Sequence, residues 1–274
     1  LQGTLDNVGH LRRLVTLNLS HCPLLHGTLE PLASLSFLQK LNLECCKSLT
    51  GTLRPLASCP GLSYVNLRKC QGLKGQVTAA CLVMLSRLGS MSPSGDALDL
   101  REVGDLHLQP QMRLGAHLEA CQVTHISISE IKVIRGDIKV VQGCRRLETL
   151  DLANCVGVHG SLGYLPSCPS LTHVNLRGTR VHGDLASTSG LRGLKFLNLA
   201  GCERVKGSVA NLRECKSLAF LDLSYCHVSG TLEALDGCWN LQTLKLRSCW
   251  NIMGDLEALA SCEQLEEADF FLCR

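Results

Sequence analysis

Aromatic residues are scarce in this chain: five Phe, three Tyr and two Trp among 274 residues, 4% in all. That scarcity excludes a core organised around rings, and it makes any aromatic that reaches the surface worth explaining. Charge of one sign is lacking too, since 27 Lys and Arg against 24 Asp and Glu leave a net charge of only +3. The basic residues are scattered and form no stripe interleaved with aromatics, so a nucleic-acid partner is not expected. The apolar runs fall short of the ~18–20 residues that a membrane span requires, which leaves no membrane contact expected in this segment. Residues 1–13 lack the basic start and apolar run of a signal peptide. The chain opens inside a repeat and without Met, and so reads as a fragment of a longer protein.

The signatures of chemistry are missing as well. There is no Cys-x-x-Cys pair and no Cys/His spacing of the zinc type, so neither a metal site nor a cofactor is expected. The Gly104-Asp105 pair forms no phosphate loop, because no Lys-Ser/Thr follows a glycine-rich turn. Ser, His and Asp occur as repeat positions, and no acid, base or nucleophile cluster stands apart from the period. The chain is therefore not expected to be an enzyme.

What is present is a phrase that keeps returning. Leu-x-x-Leu-x-Leu-x-x-Cys reads Leu14, Leu17, Leu19, Cys22 near the start and Leu241, Leu244, Leu246, Cys249 near the end. With the middle apolar residue as landmark, the copies fall at Leu17, Leu41, Val65, Leu98, Ile126, Leu150, Val174, Leu197, Leu221, Leu244 and Ala268. The steps are 24, 24, 33, 28, 24, 24, 23, 24, 23 and 24 residues, which is the sign of a solenoid whose units cannot fold singly. The alternation around Leu17-Asn18-Leu19 has period two and predicts a short parallel strand. Ten residues after most landmarks stands a glycine, as at Gly27, Gly51 and Gly160; in the two 23-residue repeats, at Gly183 and Gly230, the gap is nine. A glycine fixed there supplies a backbone conformation that a Cβ would hinder. Apolar residues at spacing three in the second half predict a short strand running into a helical or 3-10 turn.

Seventeen cysteines would suggest a disulfide framework in a short secreted chain. Their positions argue for packing instead. Eight end the strand phrase, among them Cys22, Cys46, Cys226 and Cys249, and seven precede a strand, among them Cys59, Cys168 and Cys215. Only Cys45 and Cys81 stand outside these rows. Positions that accept Cys, Leu or Thr in sister repeats are core positions, and a buried free Cys behaves as a small hydrophobe. Free thiols point to a reducing, cytoplasmic setting.

These repeats resemble the leucine-rich repeat family over essentially the whole chain. The phrase ending in Cys resembles the cysteine-containing subclass, and the following Leu-x-Gly-x-Leu resembles the plant-receptor subclass. The resemblance implies an α/β repeat fold: a right-handed solenoid, or horseshoe, with a parallel β-sheet on the concave face and short helical or 3-10 turns outside. It also implies a general role in binding proteins. We expect a single domain over residues 1–274 with about eleven repeats, irregular across 76–125. That irregularity reads either as a tolerated surface insertion or as a ligand-contacting island.

Because side chains alternate, the outward residues of the strands fall into rows. The central row, from Asn18 and Asn42 through Asp151, Asn198 and Asp222 to Asp269, is expected to form a polar ladder of lateral hydrogen bonds between strands. In the flanking rows Phe196 and Phe220 stand side by side with His173 beyond them, and Ala200 and Ser224 leave space across the ladder. Arg177, Lys245 and Arg247 supply charge, and Tyr64 with Arg68 forms a smaller pair of the same kind. Aromatics and Arg around a space left by small residues match the chemistry of interface hot spots; the bland reading is two Phe on a tolerant surface. The function expected is a non-catalytic scaffold binding a protein or peptide on the concave face. The alternative is the ligand-binding ectodomain of a cell-surface receptor.

Overall fold

A computed structural model describes residues 2–77, 81, 84–85, 98–99, 106–108, 124–127 and 133–273. Most of the irregular stretch 76–125, with Cys121 and Met112, lies outside the described residues. The chain resolves into two compact units, Leu1–Met112 with Ile126–Gly136, and Arg113–His125 with Asp137–Arg274.

In the second unit each coil repeats one plan. A three-residue strand carries the landmark, as in Thr149–Asp151, His173–Asn175, Phe196–Asn198, Phe220–Asp222, Thr243–Lys245 and Glu267–Asp269. These strands pair in parallel with landmark opposite landmark, Leu150 to Val174 to Leu197 to Leu221 to Leu244 to Ala268. A second strand follows the turn, at Gly157–Ser161, Arg180–Asp184, Arg204–Ser208, His227–Thr231 and Asn251–Met253, and builds a second parallel sheet. A short 3-10 turn such as Leu185–Thr188 or Val209–Leu212 closes the coil. Leu218, Leu221, Leu223, Val228 and Leu212 from one coil are all buried between the two sheets and the 3-10 row. The first unit uses the same plan: Thr16–Asn18, Lys40–Asn42, Tyr64–Asn66 and Leu98–Asp99 form a four-stranded parallel sheet. Among the described residues no helix is long and apolar enough to cross a membrane.

The repeating glycine has the conformation its position implied. Gly27, Gly51, Gly160, Gly183, Gly207, Gly230 and Gly254 all have φ between +92° and +120°, a region essentially closed to residues with a Cβ. In five of the coils a polar residue just after it caps the 3-10 turn: the side chains of Asp137, Ser161, Asp184, Ser208 and Asp255 accept from the N–H two residues on.

The central polar row is structural, and the bond that recurs along it runs within each strand's own chain, with cross-strand bonds added at Asn66 to Glu44 and at Asp269 to Arg247. Asn18, Asn42, Asn66, Asp151, Asn175, Asn198, Asp222 and Asp269 each accept, through Oδ1, the backbone N–H two residues later at 3.0–3.4 Å. The motif that repeats from coil to coil in this row is thus an Asx turn. Each Asx turn ends a strand and delivers the chain, four residues past the landmark, into the left-handed region. His21, Cys45, Lys69, Asn154, Gly178, Gly201, Tyr225, Ser248 and Leu272 occupy this column with φ from +57° to +75°. Non-glycine residues there cost roughly 1–2 kcal/mol. The cost is offset because the bend aims the N–H groups of His21, Cys45, Asn154, Tyr225 and Ser248 at carbonyls of the next coil, as from Cys45 to Arg68 and from Tyr225 to Arg247, both 2.8 Å.

The cysteines ending the strand phrase are core residues with a donor. The thiols of Cys46, Cys70, Cys202, Cys226, Cys249 and Cys273 donate to the carbonyls of Leu19, Leu43, Leu176, Leu199, Leu223 and Leu246, one coil back, at 2.9–3.1 Å. A leucine would fill this space and leave the carbonyl without that donor. The described cysteines are free thiols, and all but Cys45 and Cys273 are buried. Burial pushes the thiols of Cys70, Cys144 and Cys249 up to about 12 and that of Cys215 to about 11.

Candidate functional site

The register that pairs landmarks also decides which outward side chains meet. His173 lies opposite Phe196, and Phe196 opposite Phe220, on three successive strands of the second unit. Strands about 4.8 Å apart hold flat rings at stacking distance. The Phe196 and Phe220 centroids are 4.2 Å apart with an interplanar angle of 11°, and His173 continues the stack at 5.8 Å and 11°. Both Phe are half-buried against each other and His173 is exposed. Beside the stack the floor is flat: Asn198, Asp222, Ala200 and Ser224 are all buried, the two acceptors engaged by their own Asx turns.

Across that floor stands a second flank. The Arg247 guanidinium lies over the Phe271 ring at 5.1 Å and makes a two-pronged bond to Asp269 Oδ2 at 2.9 and 3.1 Å. The Asp269 carboxylate and the Tyr225 hydroxyl beside it raise the affinity of Arg247 for its proton. Asp269 is held below the usual carboxylate range, first by the Phe271 N–H and then by Arg247. Lys245 pairs with Glu267 at 2.8 Å. Two of the three cations expected to supply charge are therefore matched within the chain, while Arg177 is exposed and has no ion pair among the described residues. Tyr64 and Arg68 belong to the first unit, where Arg68 approaches Glu44 at 3.5 Å and Tyr64 is half-buried.

Sequence reasoning missed Tyr225, which is half-exposed in the left-handed column beside Arg247. It also missed an open groove of about 810 Å³ at the leading edge of the same strands, lined by Lys195, Ala219, Trp239, Gln242 and Glu263. The exposed Trp239 was the available signal there. In the first unit, His21, Glu44 and Cys45 bring a ring nitrogen, a carboxylate oxygen and a thiol within 4.8 Å of one another.

The family described as Leucine Rich Repeat matches residues 13–35. No curated protein matches the sequence. Among solved structures, the chain is similar to a TDR receptor at 22% identity and TM-score 0.61, covering 95% of this chain and 43% of that one. It is similar to the leucine-rich repeat protein LIC12759 of Leptospira interrogans at 16% identity and TM-score 0.59, covering 98% and 69%. It is also similar to an internalin of Listeria monocytogenes at 21% identity and TM-score 0.55, covering 97% and 69%. The chain thus spans less than half of the TDR receptor chain and about two thirds of the two bacterial ones.

Proposed function

Because this chain folds as a leucine-rich repeat protein, we propose that it is a non-catalytic scaffold whose second unit binds a protein or peptide partner across the concave, strand-lined face. Solenoids of this class offer extended concave surfaces for binding. The observation that carries the reading is the pair of flanks: a His173–Phe196–Phe220 stack on one side, Tyr225, Arg247 and Phe271 on the other. Between them lies a floor of Ala200, Ser224, Asn198 and Asp222, the last two with Oδ1 engaged in their own Asx turns. A peptide laid on this floor meets rings at both edges, which is the composition of an interface hot spot. The matched pairs Lys245–Glu267 and Arg247–Asp269 leave little free positive charge for a phosphate backbone, so a polypeptide is the partner proposed. The free, buried thiols are the basis for proposing a cytoplasmic location. The similarity to a TDR receptor favours the second reading, a cell-surface ectodomain, which would use the same face from the other side of a membrane.

Peptides selected from a displayed random library against the immobilised chain test the proposal. Phe196→Ala combined with Phe220→Ala is expected to weaken the selected binders about 30-fold or more, as loss of roughly 2 kcal/mol of hot-spot energy requires. The circular dichroism spectrum should be unchanged, because neither ring is part of the core between the sheets. Equal affinity for the doubly substituted chain would overturn the assignment of this face.

A further inference from the structure

We propose that His21, Glu44 and Cys45 form a binding site for a zinc-class divalent cation. The three donors come from two successive coils, and the backbone places them. His21 and Cys45 are neighbours in the left-handed column, with φ of +57° and +63°. The His21 N–H donates to the Glu44 carbonyl at 2.7 Å, and the Cys45 N–H donates to the Arg68 carbonyl at 2.8 Å. The bend turns both side chains out of the core row that their neighbours Cys22 and Cys46 occupy. Cys45 is thereby one of the two thiols among the described cysteines that are not buried.

One nitrogen, one oxygen and one sulfur ligand, all mutually within 4.8 Å, suit a borderline cation. Tetrahedral zinc with bonds of 2.0–2.3 Å needs its ligand atoms about 3.3–3.8 Å apart. The donors therefore close by roughly one ångström, within reach of rotamer changes by an exposed His21 and a half-buried Glu44 and Cys45. The fourth position faces solvent and takes water. The metal–sulfur bond forms as the Cys45 thiol releases its proton to solvent. Glu44 is not tightly held by its present partners: Asn66 Nδ2 donates to Oε2 at 3.3 Å and Arg68 Nη1 stands at 3.5 Å from Oε1. Arg68 is also the opposing element, because its charge competes with the cation for that carboxylate.

The test is titration of the reduced full chain with Co²⁺, followed by displacement with Zn²⁺. The expected result is one Co²⁺ per chain with thiolate-to-cobalt charge-transfer absorption. Cys45→Ser should abolish that absorption and Cys273→Ser should leave it intact. His21→Ala and Glu44→Gln should each weaken binding about tenfold or more, and Arg68→Gln should strengthen it. Absorption that is absent from the wild-type chain, survives Cys45→Ser, or is indifferent to His21→Ala and Glu44→Gln would overturn the site. Alkylation of the wild-type chain, read by peptide mass, gives an answer without any variant. Saturating Zn²⁺ should protect Cys45 from iodoacetamide, and equal labelling with and without Zn²⁺ would contradict the proposal.

Discussion

Between about pH 8 and about pH 10 the chain is expected to lose most of its stability. Its buried thiols give the reason. Ten of them, from Cys46 to Cys262, are raised by burial, as is the partly buried Cys273. In the unfolded chain a thiol ionises near about 8.5. Above that pH the unfolded state has released protons that the folded state still holds, so stability falls as pH rises. The contribution is fully present below the unfolded value and disappears as pH climbs toward the folded values, about 11 for Cys215 and about 12 for Cys70, Cys144 and Cys249. At about pH 10 each of these four thiols has forfeited roughly 2 kcal/mol. Four such losses match the whole stability of an ordinary domain, about 5–15 kcal/mol. Urea unfolding followed by circular dichroism at both pH values checks this. A midpoint that falls toward zero at about pH 10 is the expected result, and a midpoint independent of pH would show that the thiols are not sealed in the core.

The second large effect concerns one glycine. Gly160 has φ +120°, and a Cβ built there would run into the Asp137 carboxylate and come within 3.0 Å of the Ile138 nitrogen. That carboxylate caps the 3-10 turn of the preceding coil by accepting the Lys139 N–H at 2.8 Å. Gly160→Val therefore imposes backbone strain of about 1–3 kcal/mol and dislodges a cap worth about 0.5–2 kcal/mol. Thermal unfolding should come roughly 5–10 °C lower. Gly190→Ala is the comparison: nothing lies within 4 Å of its Cβ position and its φ is not in the left-handed region, so its midpoint should stay near that of the parent. Equal midpoints for the two variants would mean that the turn does not need its glycine.

Gly160 also shows how much of the fold could be read from the residues. A glycine at constant distance from Leu150, with its sisters at the same distance from their own landmarks, announces a backbone requirement by its spacing alone. The Phe196–Phe220 stack was legible for a similar reason: a period of 24 puts the two in register on adjacent strands, and parallel pairing does the rest. The Asx turns were not legible as such. Alternation tells which way Asn198 faces, but an amide can bond sideways or along its own chain, and only the backbone path decides. The left-handed column was hidden more completely, because His21, Cys45, Tyr225 and Leu272 share no chemistry that would mark their common conformation. The period of 24 does set His21 and Cys45 one coil apart, but without the left-handed bend it does not show that their side chains leave the core row and meet Glu44. The pairing of Lys245 with Glu267 and of Arg247 with Asp269 was within reach, because each pair involves neighbouring strands of the same sheet. It requires reading the rows against one another instead of one at a time.

Hydrogen–deuterium exchange of the chain with and without a saturating selected peptide tests the docking face most directly. New protection is expected in residues 195–200, 219–225 and 243–248, where the strands under the two aromatic flanks lie. Protection confined to the 3-10 row, or to the groove beside Trp239 and Glu263, would contradict the account and move the interface off the strand-lined face.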